Sequence, residues 1–181
     1  MFLENNILKL RAPEPEDLEN LYRWENMSEH WVSCNTRQPY SRYALKKYIS
    51  NIPTEVYSSG QLRLMIVDKN SGNTVGTVDL FDFEPHHSRM ALGLFVAPEF
   101  QGRGIAGSTL SIIEKYVFEF LKINQLYCEI AIDNPASLHI FRKAGYHENI
   151  LKSWIMTPGG FQDIVVFQML RDDYLTANQA I

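Results

Sequence analysis

The sequence predicts an α/β (α+β) chain built on a mixed, mostly antiparallel sheet of about seven strands, and three observations carry that prediction. Seven short apolar or alternating stretches read as strands, at 7–11, 61–68, 74–83, 89–96, 126–132, about 148–156 and 161–170. Loops of hairpin length and composition join several of them, Lys69-Asn70-Ser71-Gly72-Asn73, Glu84-Pro85-His86-His87-Ser88 and Thr157-Pro158-Gly159-Gly160. Between Val96 and Leu126, by contrast, lie a glycine-rich turn and a long amphipathic helix, a strand–helix–strand unit that sets its two strands parallel. At 181 residues the chain suits one domain, 1–181, with a sizeable core. Its 45% apolar and 21% charged content is that of a globular protein, so order is expected nearly to the end.

In chain order, residues 7–11 alternate and stop at Pro13 and Pro15. From Glu16 to Glu25, Leu18, Leu21, Tyr22 and Glu25 fall on a helical repeat behind the proline and acidic start that helix N-termini favour. Met27 to Tyr40 is aromatic-rich without a period and reads as a loop or short helix over a substrate; a plain surface connection is the alternative. Ser41 is placed to cap a helix that runs to about Asn51, and Pro53 breaks it. The next three strands form an antiparallel meander. In its second turn His86 and His87 are expected on different sides of an extended chain, with no further ligand at metal spacing, so no metal site is expected. The helix from Gly104 to Leu121 presents Ile105, Thr109, Ile112, Ile113, Tyr116, Val117 and Phe120 at a period of about 3.6, which is a core stripe. The following strand puts Leu126, Cys128, Ile130 and Ile132 on one face and Tyr127, Glu129 and Ala131 on the other. A helix from about Ala136 to Ala144 and the last two strands complete the order.

Chemistry concentrates in Val96-Ala97-Pro98-Glu99-Phe100-Gln101-Gly102-Arg103-Gly104-Ile105-Ala106-Gly107, where a strand turns into a helix. The first amides of a helix have no intrahelical acceptor and sit at the positive end of its dipole. Gly102, Gly104 and Gly107 give a phosphate clearance to approach that backbone, although any one of them alone is what such a turn uses for its own dihedrals. Gly102-x-Gly104-x-x-Gly107 also matches the dinucleotide fingerprint, with Glu129 and Asp133 near the expected ribose-binding acid. That fingerprint usually starts a doubly wound parallel sheet, whereas this turn follows hairpin-linked strands with too little chain behind it to complete one. A Walker loop is excluded because no lysine followed by Ser or Thr closes the glycine run. Pyrophosphate binding in a mixed sheet survives.

Gln101-x-x-Gly104-x-Ala106 resembles the acetyl-CoA pyrophosphate motif of the GNAT superfamily of N-acetyltransferases. Asn134-Pro135-Ala136-Ser137-Leu138-His139-Ile140-Phe141-Arg142-Lys143-Ala144-Gly145-Tyr146 is similar to the family's later stretch of an Asn, a small residue three on, an aromatic, a basic residue and Gly-Phe or Gly-Tyr. The resemblance runs from Ile7 to Leu170. It is strongest to the branch of ribosomal-protein N-terminal acetyltransferases and spermidine acetyltransferases, which share an early Asp-Leu helix, an aromatic-Gln-Asp near the end and this element order. The resemblance implies a GNAT fold with helices on both faces and a parallel pair that splays, the pantetheine arm lying in the wedge like an extra strand. It implies acetyl-CoA as donor, bound by Leu94, Phe95 and Val96, by Gln101, Gly102, Arg103, Gly104, Ile105, Ala106 and Gly107, and by Asn134, Ser137 and Phe141. The oxyanion falls, by the same resemblance, to a backbone amide at the end of the Leu94-Phe95-Val96 strand.

An amine that attacks a thioester must lose a proton, the carbonyl must be stabilised as an oxyanion, and the sulfur is optionally protonated. Two departures from the family pattern bear on those tasks. Many relatives carry a glutamate on the strand before the cofactor turn, where this chain has Ala91, and the tyrosine credited as proton donor is replaced by Phe141. Ser137 matches the residue given the donor role in some relatives, and is equally a helix-start hydroxyl; Asn134 is equally a helix cap. Asp79, Asp82 and Glu84 are candidate bases, and Ser137 and Asp82 are carried forward as the catalytic candidates. The expected acceptor is a primary amine, on a small molecule or a protein N-terminus. A non-catalytic acyl-CoA-binding or regulatory module is the alternative, motivated by the same departures, and a Rossmann oxidoreductase stands behind it. Arg37-Gln38 precede Pro39-Tyr40 where spermidine-acetylating relatives carry acidic residues, which works against a polycation. A net charge of −4, with 17 basic and 21 acidic residues and no basic block, argues against nucleic acid. The start has no signal-like pattern, no run approaches a membrane span, and Cys34 and Cys128 are too few for a disulfide framework. A cytoplasmic protein, monomeric or homo-oligomeric, is expected.

Overall fold

A computed structural model describes residues 2–31, 36–52 and 56–179. Seven strands, β1 Leu8–Arg11, β2 Leu62–Asp68, β3 Thr74–Glu84, β4 Arg89–Val96, β5 Gln125–Ala131, β6 His147–Thr157 and β7 Gly160–Leu170, form one sheet. Their order is β1-β2-β3-β4-β5-β7-β6, antiparallel at every pair except β4 beside β5. The short loops expected between strands 61–68, 74–83 and 89–96 are the β2–β3 and β3–β4 hairpins, and that expected after 156 is the β6–β7 hairpin.

Helices cover both faces of the sheet. On one face, α1 Leu18–Glu25 and α2 Arg42–Ser50 bury Leu21, Trp24 and Leu45 against Met65 of β2. On the other, α4 Ile105–Lys115, α5 Pro135–Lys143 and α6 Arg171–Gln179 lie over the larger core of β1 to β5 and β7, which also takes Val56 of the short α3 Val56–Ser59. The cap at Ser41 forms as expected, its Oγ accepting the Ala44 N–H at 3.1 Å. Ahead of α1, burial opposes the charge of Asp17, but hydrogen bonds from the Arg11 guanidinium and the Glu14 N–H outweigh it and hold the carboxyl below its ordinary range. No helix among the described residues is long and apolar enough to cross a membrane.

Four sequence expectations are corrected. The stripe expected to end on Phe120 does not, because α4 passes at Tyr116 into a π turn through Phe120, with Leu121 N–H on Tyr116 O. The extra residue per turn shifts the phase, so Phe118 falls into the core and Phe120 is left 56% exposed beside Phe2 and Tyr116. Ile132 lies beyond the end of β5, where the chain turns back with Asn134 N–H on Ala131 O, and is exposed. The rings of His86 and His87 meet edge to face at 4.9 Å, because the β3–β4 turn brings them together. The helices α3 and α6 were not expected; α6 is tied down by Tyr174, whose hydroxyl donates to Glu119. Of the Met27 to Tyr40 stretch, a 3-10 turn at Ser28–His30 is described, while residues 32–35, with Cys34, and Pro53 lie outside the described residues.

Candidate active site

β4 and β5 are partners only at their beginning, where Arg89, Met90 and Ala91 pair with Gln125, Leu126 and Tyr127. Past that point β4 stays paired with β3 as far as Val96, and β5 with β7 as far as Ala131. Residues 92–96 and 128–131 therefore diverge as a V inside the sheet, each presenting a strand edge with no rung across the gap.

The glycine turn stands where β4 leaves this V. Gly102 and Gly104 both have left-handed φ, 73° and 76°, and Gly104 is the N-cap of α4. The first intrahelical hydrogen bond runs from the Ser108 N–H to Gly104 O at 3.0 Å, so the amides of Ile105, Ala106 and Gly107 precede any helical acceptor. A Cβ built on Gly102, Gly104 or Gly107 would meet no protein atom within 4 Å. The protein itself leaves this space open, and it is suited to an anion bound at the positive end of a helix.

A cleft of about 2260 Å³ runs from this turn through the V to the α1 face. It gathers Leu94, Phe95, Val96, Gln101, Gly102, Gly104, Ile105, Ala106, Gly107, Asn134, Ser137, Phe141 and Asp82, residues drawn from four separate stretches of chain. Arg103 is not among its walls; its guanidinium turns back to Glu99 O at 2.9 Å and over the Phe100 ring. Arg142 pairs with Glu148 at 2.7 Å instead. Gln101 uses its side-chain amide to tie the turn to Val96 O. Asn134 caps α5, its Oδ1 accepting the Ser137 N–H at 3.1 Å, and the same residue borders the cleft. Phe141 is nearly buried, stacked on Phe167 and edge-on to Tyr146, so that the cleft meets only part of its ring.

The face under α1 has a different character. Phe95 packs on Trp24 and His30, and the Trp31 indole donates to Glu25 O. Arg63 reaches Glu25 and Asp79, each at 2.5 Å, with Tyr48 beside it. Burial opposes the charge of Arg63, but its two carboxylates more than compensate and hold it firmly cationic. Asp79 is thus committed to an ion pair, and Glu84 accepts the His86 N–H. Asp82 occupies a bulge between Phe81 and Glu84 with a left-handed φ of 49°, and it borders the cleft unpaired among the described residues. Nearby Tyr127 has its hydroxyl pKa raised, by burial first and by the charge of Asp82 second. Sequence reading did not name Arg63, and it named Glu129 as a site candidate only beside the dinucleotide fingerprint; both lie in the cleft wall, and their places there depend on pairing between distant strands.

Residues 8–147 match the acetyltransferase (GNAT) domain family. The chain belongs to that family. This GNAT protein is an acetyl-CoA-dependent N-acetyltransferase. It is similar to the spermidine N(1)-acetyltransferase of Vibrio cholerae, 26% identical over 179 residues, covering 97% of this chain and 99% of that one. A spermidine N(1)-acetyltransferase of Escherichia coli is 24% identical over 176 residues, covering 95% and 90%. Among solved structures, the Vibrio cholerae spermidine N-acetyltransferase in complex with CoA and spermine superposes with a TM-score of 0.83 at 26% identity, over 94% of this chain and 99% of that one. A dodecameric structure of that enzyme gives 0.78 at 26% identity, covering 94% and 98%.

Proposed function

We propose that the whole chain works as one acetyltransferase domain whose V holds the donor and whose α1 face admits a primary amine. The observation that carries this reading is the gap between 92–96 and 128–131 leading onto the bare amides of Ile105, Ala106 and Gly107. The donor's pyrophosphate is assigned to the turn from Gln101 to Gly107, and its pantetheine arm to the edge of Leu94, Phe95 and Val96, with Asn134, Ser137 and Phe141 opposite. Arg103 is withdrawn to a supporting role within the turn. Ser137 is the hydroxyl assigned to the leaving sulfur. Asp82 contributes negative charge that draws the ammonium toward the cleft.

The acceptor is a primary amine of low charge. Arg37 borders the cleft on the acceptor side, and a fixed cation there opposes a second or third positive charge on the substrate. Self-association belongs to the same reading. A relative forms a dodecamer, and Ile150, Trp154, Met156 and Phe161 stand exposed together on the β6–β7 hairpin. Light scattering that finds only a monomer would remove that part.

The test of the acceptor is release of free CoA from acetyl-CoA with a panel of simple monoamines, peptide N-termini, spermidine and spermine. Turnover with a monoamine or peptide N-terminus above that with spermidine is expected, and spermidine as the best substrate would contradict the charge argument. Binding of acetyl-CoA with no release for any amine would favour the non-catalytic module that Ala91 and Phe141 otherwise suggest.

A further inference from the structure

We infer that Glu129 takes the proton from the acceptor amine, supplying from β5 the carboxylate that β4 lacks at Ala91. The inference rests on the N-acetyltransferase reading above. On β5, Cys128 and Ile130 point into the core beneath α4 and α5, so Tyr127 and Glu129 point to the opposite face. On β4, Leu92 and Leu94 belong to that same core, and Ala91, Gly93 and Phe95 share the face of Glu129. Ala91 pairs with Tyr127, and two residues further along both strands sets Glu129 level with Gly93, at the first place on this face where the strands have parted. Gly93 has no side chain to occupy the lane between them.

The other acids of the cleft are less well placed. Glu25 and Asp79 are held by Arg63. Asp82 follows Phe81, which pairs with Ala91, so it lies behind the closed end of the V rather than beside its opening. At about 3.3 Å per residue it stands two to three residues below the level of Gly93, on the order of 7–10 Å along the strand. Glu129 borders the cleft and is exposed, and its carboxylate makes no hydrogen bond or ion pair among the described residues. Its carboxylate is therefore available to a substrate.

The step balances simply. The ammonium gives one proton to Glu129, the nitrogen lone pair forms the N–C bond, the C–S bond breaks, and the electron pair leaves on sulfur. The second N–H proton ends on the CoA sulfur, and Glu129 returns its proton to solvent. The ammonium nitrogen has no lone pair until that proton has left, so the transfer to Glu129 precedes attack, and the attack that follows draws this uphill transfer forward.

The experiment compares Glu129→Gln, Glu129→Asp and Asp82→Asn with the wild type, using the best amine of the panel. Glu129→Gln is expected to lower kcat about 10²-fold or more at neutral pH, with acetyl-CoA affinity by calorimetry unchanged, because a positioned base contributes roughly 10²–10⁴-fold. Its deficit should shrink as pH approaches the pKa of the amine, and Glu129→Asp should recover part of the rate. Asp82→Asn should raise KM more than it lowers kcat. A Glu129→Gln kcat within about threefold of wild type, or a kcat loss that appears in Asp82→Asn and not in Glu129→Gln, would overturn the inference while the N-acetyltransferase reading stood. A wild type that acetylates no amine would instead remove that reading, and the inference with it.

Discussion

Gly107 has neither of the usual reasons to be a glycine. Its φ is not left-handed, and a Cβ there would meet no protein atom within 4 Å. Yet glycine within a helix costs about 0.5–1 kcal/mol relative to alanine. Gly107→Ala is expected to raise the melting temperature of the ligand-free protein while weakening acetyl-CoA binding on the order of tenfold, by crowding the phosphate. Calorimetry showing full affinity in the stabilised variant would contradict the assignment of the pyrophosphate. Residues such as Gly104, Ser41 and Asn134 were legible in the sequence because a turn or a cap is a local matter of a few neighbours. The vacancy at Ala91 was legible only through the resemblance to the GNAT pattern. Glu129 was legible as an acid on the outward face of its strand, but not its place opposite Gly93, which exists only after two strands separated by a helix have paired.

At the scale of elements, α4 carries an unusual group through the core. Glu114 is 8% exposed, and its Oε1 and the Tyr146 hydroxyl are both buried without a hydrogen bond, although the two side chains lie close enough to influence each other's charge. Burial pushes the Glu114 carboxyl up to about 7 from an ordinary 4.5, with Tyr146 pulling weakly the other way. Folding therefore takes up a proton between those values. Stability is fully present below pH 4.5 and is lost as pH rises through about 7, an effect of at most about 3 kcal/mol. Glu114→Gln should flatten that slope in denaturant titrations at pH 5 and pH 8, and a slope equal to wild type would show that Glu114 ionises freely in the folded protein. The same stretch explains why the helix was only partly legible. Its apolar period was read correctly to Val117, but a π turn is set by how Phe118 and Leu121 seat in the core, and nothing in the local sequence announces it.

Across the whole molecule, the seven strands and their hairpins could be read because alternation and short turns leave few other solutions. The last helix could not, as Tyr174 is the only residue of α6 fully seated in the core and one anchor makes no period. The parting of β4 and β5 has a consequence for the protein's persistence as well as its chemistry. Most sheets keep their vulnerable edges at the rim, but here two of them face each other in the interior, and only a ligand laid between them supplies the missing rungs. Acetyl-CoA at a hundred times its Kd should add about 2.7 kcal/mol to stability. Amide exchange should slow at 92–96 and 128–131, and exchange unaltered there by ligand would contradict the strand-like seating. An enzyme without its donor is then also a sheet short of a strand, and it opens to unfolding and proteolysis more often than the same enzyme with donor bound.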